Sequence, residues 1–166
     1  MDIQFFITGG TIDNVDYDSQ EKAPKQTESF IPKLLELLKQ SNVTVNFESE
    51  VLFFKDSRFI SDEDRKILLE KCKTSKSDKI IITHGSFTMA QTAKFLLTQN
   101  LPKTIVLVGS VIPINKDKSD ALFNLGSAVT AVQLLDNGVY ITMNGQIFTA
   151  DNVKKNLDKV IFEKEI

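Results

Sequence analysis

A doubly wound, mostly parallel α/β sheet with helices on both faces is the fold this sequence predicts. Three observations carry it. Several short apolar runs read as near-continuous Ile/Val/Phe, as strands buried on both faces do. These runs alternate with stretches of helical periodicity, and that β-α-β-α order implies right-handed crossovers. Two of the runs open directly into glycine and hydroxyl residues, the mark of strand ends that face a ligand mouth. The expected arrangement is three-layered, Rossmann/flavodoxin-like.

The elements follow in order. Residues 3–7 form the first apolar run and end in Thr8-Gly9-Gly10-Thr11-Ile12. Residues 29–40 carry Leu34, Leu35, Leu37 and Leu38 at helical spacing, with Pro32 tolerated in the first turn. A second strand is expected over 44–53. Ser61-Asp62-Glu63-Asp64 resembles a capping box, with Asp64 in place of the usual Glu or Gln, and leads into a helix through Ile67, Leu68 and Cys72. The run 79–83 ends in His84-Gly85-Ser86-Phe87-Thr88, followed by a helix over 88–97. Strands at 104–108 and 139–143 flank a long helix over 119–135, with Leu122, Leu125, Val129 and Val132 on one stripe and Asp136-Asn137-Gly138 as its stop. Residues 146–166 are expected to form a hairpin around Ala150-Asp151-Asn152 and then a charged terminal arm. The whole chain, 1–166, is expected to be one domain.

Composition narrows the function classes. The 166 residues, 42% hydrophobic, are enough for a packed core and argue against disorder. A net charge of -2 gives no basic face, so no nucleic-acid partner is expected. There is no apolar run of about 18 residues, so no membrane span is expected. Asp2 and the lack of a basic n-region argue against a signal peptide. One cysteine and one histidine offer no structural metal site, so neither metal nor cofactor is expected. Cys72 reads as an inert packing residue, and a lone cysteine fits a reducing, cytoplasmic setting.

Two hydroxyls at one sheet mouth suggest nucleophilic attack on a carbonyl. Each candidate also has a plainer reading. Thr8 to Thr11 fits an ordinary tight turn, and without a phosphate-loop lysine it supports nucleotide binding only weakly. Ser86 fits a helix N-cap as well as a nucleophile or hydroxyl relay. His84 fits a packed residue better than a base. A Ser-His-Asp triad is disfavoured, because His84 and Ser86 are two residues apart on one strand end. Lys154 and Lys155 fit solvated positions, or one of them a desolvated base. Asp56 and Arg58 fit a solvated loop, or Arg58 a clamp for a substrate carboxylate. Tyr17 fits an activator of Thr11 or a cover for its loop.

Together these segments resemble the N-terminal domain of the bacterial-type L-asparaginase family. Thr8-Gly9-Gly10-Thr11-Ile12 is similar to the family's first signature, and His84-Gly85-Ser86-Phe87-Thr88-Met89 to its second, which reads H-G-T-D-T-M. Val108-Gly109-Ser110, the stretch Ser119 to Leu125 (S-D-x-x-x-N-L), and Met143-Asn144 through Lys155 resemble later family segments. The match runs to about Asn156. The resemblance implies an amidohydrolase that cleaves a side-chain amide, of L-asparagine or a related small molecule, to acid and ammonia through an acyl-enzyme. It implies Thr11 as nucleophile, Ser86 as second hydroxyl, Lys155 as its base and Tyr17 as an activator. It places Gly10, Ser57, Arg58, Gly85 and Phe87 against the substrate.

Two departures stand out. Phe87 replaces an aspartate that binds the substrate's α-amino group, which points to an amide lacking that group. The alternative reading is a non-catalytic amino-acid-binding or regulatory module. The chain also resembles short, single-domain members, for which a site completed by assembly, in a homo-oligomeric dimer or tetramer, is expected. A subunit of a tRNA-dependent amidotransferase is a weaker reading, disfavoured by the acidic balance.

Overall fold

The computed structural model describes residues 1–15, 28–40 and 42–165. Six strands form one sheet: β1 (Asp2–Gly9), β2 (Asn46–Lys55), β3 (Lys79–Thr83), β4 (Thr104–Val108), β5 (Gly138–Met143) and β6 (Gln146–Thr149). Their order across the sheet is β2-β1-β3-β4-β5-β6, and every pair is parallel except β5–β6. This is the doubly wound α/β arrangement read from the sequence. Winding reverses between β1 and β3, and in open α/β sheets ligands sit at that reversal, beyond the carboxyl ends of the strands.

Alternation along the strands builds two cores. Phe6, Ile80, Ile82, Ile105, Leu107 and Ile141 face one way, against α2 (Asp62–Thr74) and α3 (Met89–Leu97). Ile3, Phe5, Ile7, Ile81, Val106 and Val108 face the other, against α1 (Ile31–Gln40) and α4 (Ala121–Leu134). The central strands are apolar throughout because both faces are covered. The capping box exists as read. Asp64 N–H donates to Ser61 Oγ at 3.2 Å, and Ser61 N–H donates back to Asp64 Oδ2 at 2.9 Å. Asp64 also accepts from Lys55 Nζ, which ties α2 to the end of β2.

The differences from the sequence reading lie at the edges. The second strand runs two residues later than expected. β2 is an edge strand with only Phe47 buried, so its hydrophobic pattern marks its limits weakly. The 146–166 segment is not a hairpin about Ala150. Residues 146–149 return onto β5 as β6, across Asn144 (φ 56°) and Gly145 (φ 72°). An Asn-Gly pair with both φ positive is the turn whose twist suits a two-residue hairpin. Residues 150–152 merely link β6 to a separate hairpin, β7 (Lys154–Asn156) with β8 (Ile161–Glu163).

The loops that follow β1, β2 and β3 meet closely. Gly10 lies at φ 84°, and a Cβ there would stand 2.4 Å from the Gly85 backbone nitrogen. A Cβ on Gly85 would stand 2.6 Å from Ser57 Oγ. Gly10→Ala therefore combines left-handed strain with overlap of two backbones. It is expected to destabilise the fold by about 2 kcal/mol or more. The check is urea unfolding, where the midpoint should fall at unchanged m-value.

Candidate active site

Thr11 begins a short 3-10 turn, Thr11–Asp13, directly after β1. The turn is held from both sides: Gly10 N–H donates to Lys55 O at 2.9 Å, and Ile114 N–H donates to Ile12 O at 3.1 Å. Thr8 Oγ1 donates to Thr83 O at 2.7 Å, locking the ends of β1 and β3 together. Beneath the turn, Asp13 accepts from Phe30 N–H at 2.7 Å. Burial raises the Asp13 carboxyl above its usual range, against hydrogen bonds from Ser29 and Phe30 that lower it.

Ser86 is not a helix cap. The N-cap of α3 is Thr88, and α3 itself begins at Met89. The Ser86 hydroxyl instead lies 2.5 Å from Lys155 Nζ, 69 residues away in sequence. Lys155 sits on β7, half-buried. Desolvation lowers its pKa from the usual lysine value, partly offset by the negative charge of Asp56. The β7–β8 hairpin is anchored so that it presents this amine: Phe162 N–H donates to Asn144 Oδ1 at 2.8 Å and Glu165 N–H to Asn152 Oδ1 at 2.9 Å. Lys94 pairs with Glu165 at 2.7 Å. Thr11, Ser86 and Lys155 line one cavity of about 360 Å³, whose other walls are Val111, Pro113 and Val160.

The remaining sequence candidates separate. Ser57 is buried against the second glycine turn: its carbonyl accepts from Thr88 Oγ1 at 2.6 Å and its Oγ from Thr88 N–H at 3.4 Å. Gly10 and Gly85 supply close backbone approach, with the Gly10 N–H spent on Lys55 O. Arg58 forks onto Asp56, with Nε–Oδ1 at 3.1 Å and Nη2–Oδ2 at 2.8 Å. Phe87 is half-exposed and lines a neighbouring cavity, which Lys155 also borders, with Ala90, Gln91 and Lys94. Lys154 faces outward, 3.7 Å from Glu163. Tyr17 lies outside the described residues.

Sequence reasoning did not find the apolar wall. The Val111 side of that wall is held by the S-D-x-x-x-N-L stretch. Asp120 accepts from Val111 and Ile112 N–H at 3.0 and 2.9 Å, and Asn124 Nδ2 donates to Gly109 O at 3.0 Å. That motif was the available signal.

His84 is a structural residue. Nδ1 lies 2.7 Å from Gly85 O, which can only accept, so Nδ1 carries the proton. Nε2 then accepts from the Thr92 hydroxyl at 2.9 Å, which itself accepts from Arg65 Nε at 3.2 Å. Complete burial pushes the imidazole down to about 4, against the raising effect of Gly85 O and with Arg65 lowering it further. The Cys72 thiol, buried in the core, is pushed up to about 12 by desolvation. Among the described residues, no group of three or more His, Cys, Asp or Glu side chains could hold a metal ion.

The model of the asparaginase N-terminal domain matches residues 2–159, and the chain belongs to that family. The probable periplasmic L-asparaginase of Haemophilus influenzae is 32% identical over 161 residues, covering 92% of this chain and 46% of that protein. Among solved structures, the probable cytoplasmic L-asparaginase of Campylobacter jejuni superposes with a TM-score of 0.80 at 31% identity, over 98% of this chain and 52% of that one. The thermostable L-asparaginase of Thermococcus kodakarensis gives 0.79 at 28% identity, over 99% and 51%. The chain spans about half the length of the relatives it matches.

The histidine makes a direct prediction. It is the chain's only one, so its ring proton resonance is assigned at once. The resonance is expected to titrate near 4 rather than near 6.5. Because the folded pKa is depressed, the contribution to stability is full above the unfolded value. It is lost as pH falls from about 6.5 toward about 4, an upper bound of about 3 kcal/mol. An NMR inflection near 6.5 in folded protein would refute the assignment.

Proposed function

We propose that this protein is an asparaginase-like amidohydrolase acting on a small carboxamide. The observation that carries the reading is the 2.5 Å contact of Lys155 Nζ with Ser86 Oγ, in the cavity that also holds Thr11. A lysine whose pKa is lowered by desolvation is a competent base at a hydroxyl. Thr11 Oγ attacks the amide carbonyl and forms the C–O bond. The proton passes toward Lys155 through the Ser86 hydroxyl and returns to the leaving nitrogen, which departs as ammonia. Water then cleaves the acyl-threonine ester by the same route, releasing the acid. Ser57, Gly10 and Gly85 position the loops around the acyl group. Arg58, held on Asp56, lies at the substrate's edge as a binding residue, and Tyr17 serves Thr11.

The comparisons support this reading through proteins named as L-asparaginases. The test is ammonia release from a panel of primary amides. Thr11→Ala is expected to lower kcat/KM by about 10³-fold or more with the fold retained. In the parent protein, kcat/KM is expected to rise with pH as Lys155 loses its proton, with a midpoint below the usual lysine value; Lys155→Met should remove that limb. No ammonia from any amide, with well-folded protein, would sink the proposal.

A homo-oligomer and a cytoplasmic setting belong to the same reading. One face of α4 exposes Leu122, Phe123 and Leu134, beside Ile147 of β6, along a groove of about 600 Å³. An apolar face of that kind fits an interface between copies. The single, buried Cys72 thiol is compatible with a reducing compartment. Sedimentation velocity is expected to show a dimer or tetramer, with Leu134→Glu shifting it toward monomer. A parent protein that sediments as monomer at micromolar concentration refutes the assembly.

A further inference from the structure

The cavity beside Thr11 has two unlike halves. One is the polar cluster of Thr11, Ser86 and Lys155, and the other is the apolar wall of Val111, Pro113 and Val160. Lys155 supplies the only ionisable side chain among the described residues lining it. Asp56, whose negative charge reaches Lys155, is engaged by the Arg58 guanidinium and by the Arg58 N–H at 2.8 Å. Across Lys155, the Phe87 ring contributes no charge. An acyl group bearing an ammonium would therefore enter this cavity against apolar carbon, with Lys155 as its only ionisable neighbour among the described residues. Whether Lys155 is protonated or neutral, such a cation gains no counter-charge from the described residues lining the cavity.

Val160 adds an independent observation. It sits at φ 54°, in the left-handed region. For a β-branched residue that is a genuine outlier, where Gly, Asn or Asp would be unstrained. The turn that holds it is fixed from both sides. Lys159 N–H donates to Asn156 Oδ1 at 3.0 Å, and Asn156 Nδ2 reaches the Glu163 carboxylate at 3.3 Å. Strain of this kind collects at functional positions. Here it keeps a branched apolar side chain on the cavity in place of the polar residues that the backbone prefers.

We infer that Val160, with Val111 and Pro113, forms an acyl-binding wall that selects carboxamides whose acyl chain carries no cation, and that Val160 is a specificity-determining residue. This rests on the amidohydrolase reading. The experiment compares L-asparagine with succinamate, which has the same chain and amide but no ammonium. It uses the parent protein and Val160→Asp, whose side chain suits the left-handed turn and puts a carboxylate in the wall. The parent is expected to favour succinamate by about tenfold or more in kcat/KM, and V160D to move the ratio toward asparagine by about tenfold or more. Equal parent values, or a ratio unmoved in V160D with native circular dichroism, overturn the inference. If neither amide yields ammonia, the amidohydrolase reading fails separately, and thermal shift then decides the wall. Stabilisation by succinamate and not by asparagine supports it, and the reverse overturns it.

Discussion

The site depends on a contact between two backbones. At the reversal of winding, the loops after β1 and β3 approach until Gly10 touches Gly85, and Gly85 in turn touches Ser57. A Cβ on Gly10 would overlap the Gly85 main chain, and one on Gly85 would overlap the Ser57 side chain. The approach is what lets hydroxyls from separate loops share one cavity. The parallel pairing of β1 with β3 delivers the two loops to the same edge of the sheet. The Thr8–Thr83 hydrogen bond then fixes their separation.

Charge at this edge is governed by burial more than by pairing. Lys155 is desolvated by burial, and Asp56, whose charge opposes that effect, is engaged by Arg58. Its amine is thereby kept less basic than an exposed lysine while remaining within reach of a hydroxyl. His84, the group most often expected to do proton work at neutral pH, is withdrawn from that role. Its two nitrogens are committed to Gly85 O and Thr92, and its burial keeps it neutral. The packed role read from the sequence is the one observed: the ring is a strut that shapes the second glycine turn from below.

The layers of the fold were legible because strands buried on both faces cannot hide their apolar runs, and because helices at the sheet's flanks carry a 3.6-residue stripe. Legibility failed where burial is one-sided. β2 has one buried residue in ten, and β6 is a four-residue edge whose Asn144-Gly145 turn was the better signal than Ala150. At the site, Thr11 and Ser86 could be read from their strand ends, although a capping role for Ser86 was equally readable. It gave way only because the helix starts three residues later. Lys155 was beyond local reasoning, because a contact across 69 residues leaves no periodic trace, and only the family resemblance pointed to it.

Phe87 and Val160 illustrate two ways in which a pocket's chemistry escapes the sequence. A departure from a family signature can be read letter by letter, yet its placement cannot: Phe87 lines a neighbouring cavity and is not among the residues lining the one with Thr11. Val160 belongs to no signature at all. Its significance arises only when a positive φ and a place on the cavity wall coincide at a β-branched residue. Relief of that strain by an ordinary turn residue would cost the wall its branched carbon. Retaining valine therefore exchanges local backbone stability for the shape and polarity of the cavity. The cavity is thus shaped by the hairpin tip as much as by the strand ends, since one short hairpin supplies both Lys155 and Val160.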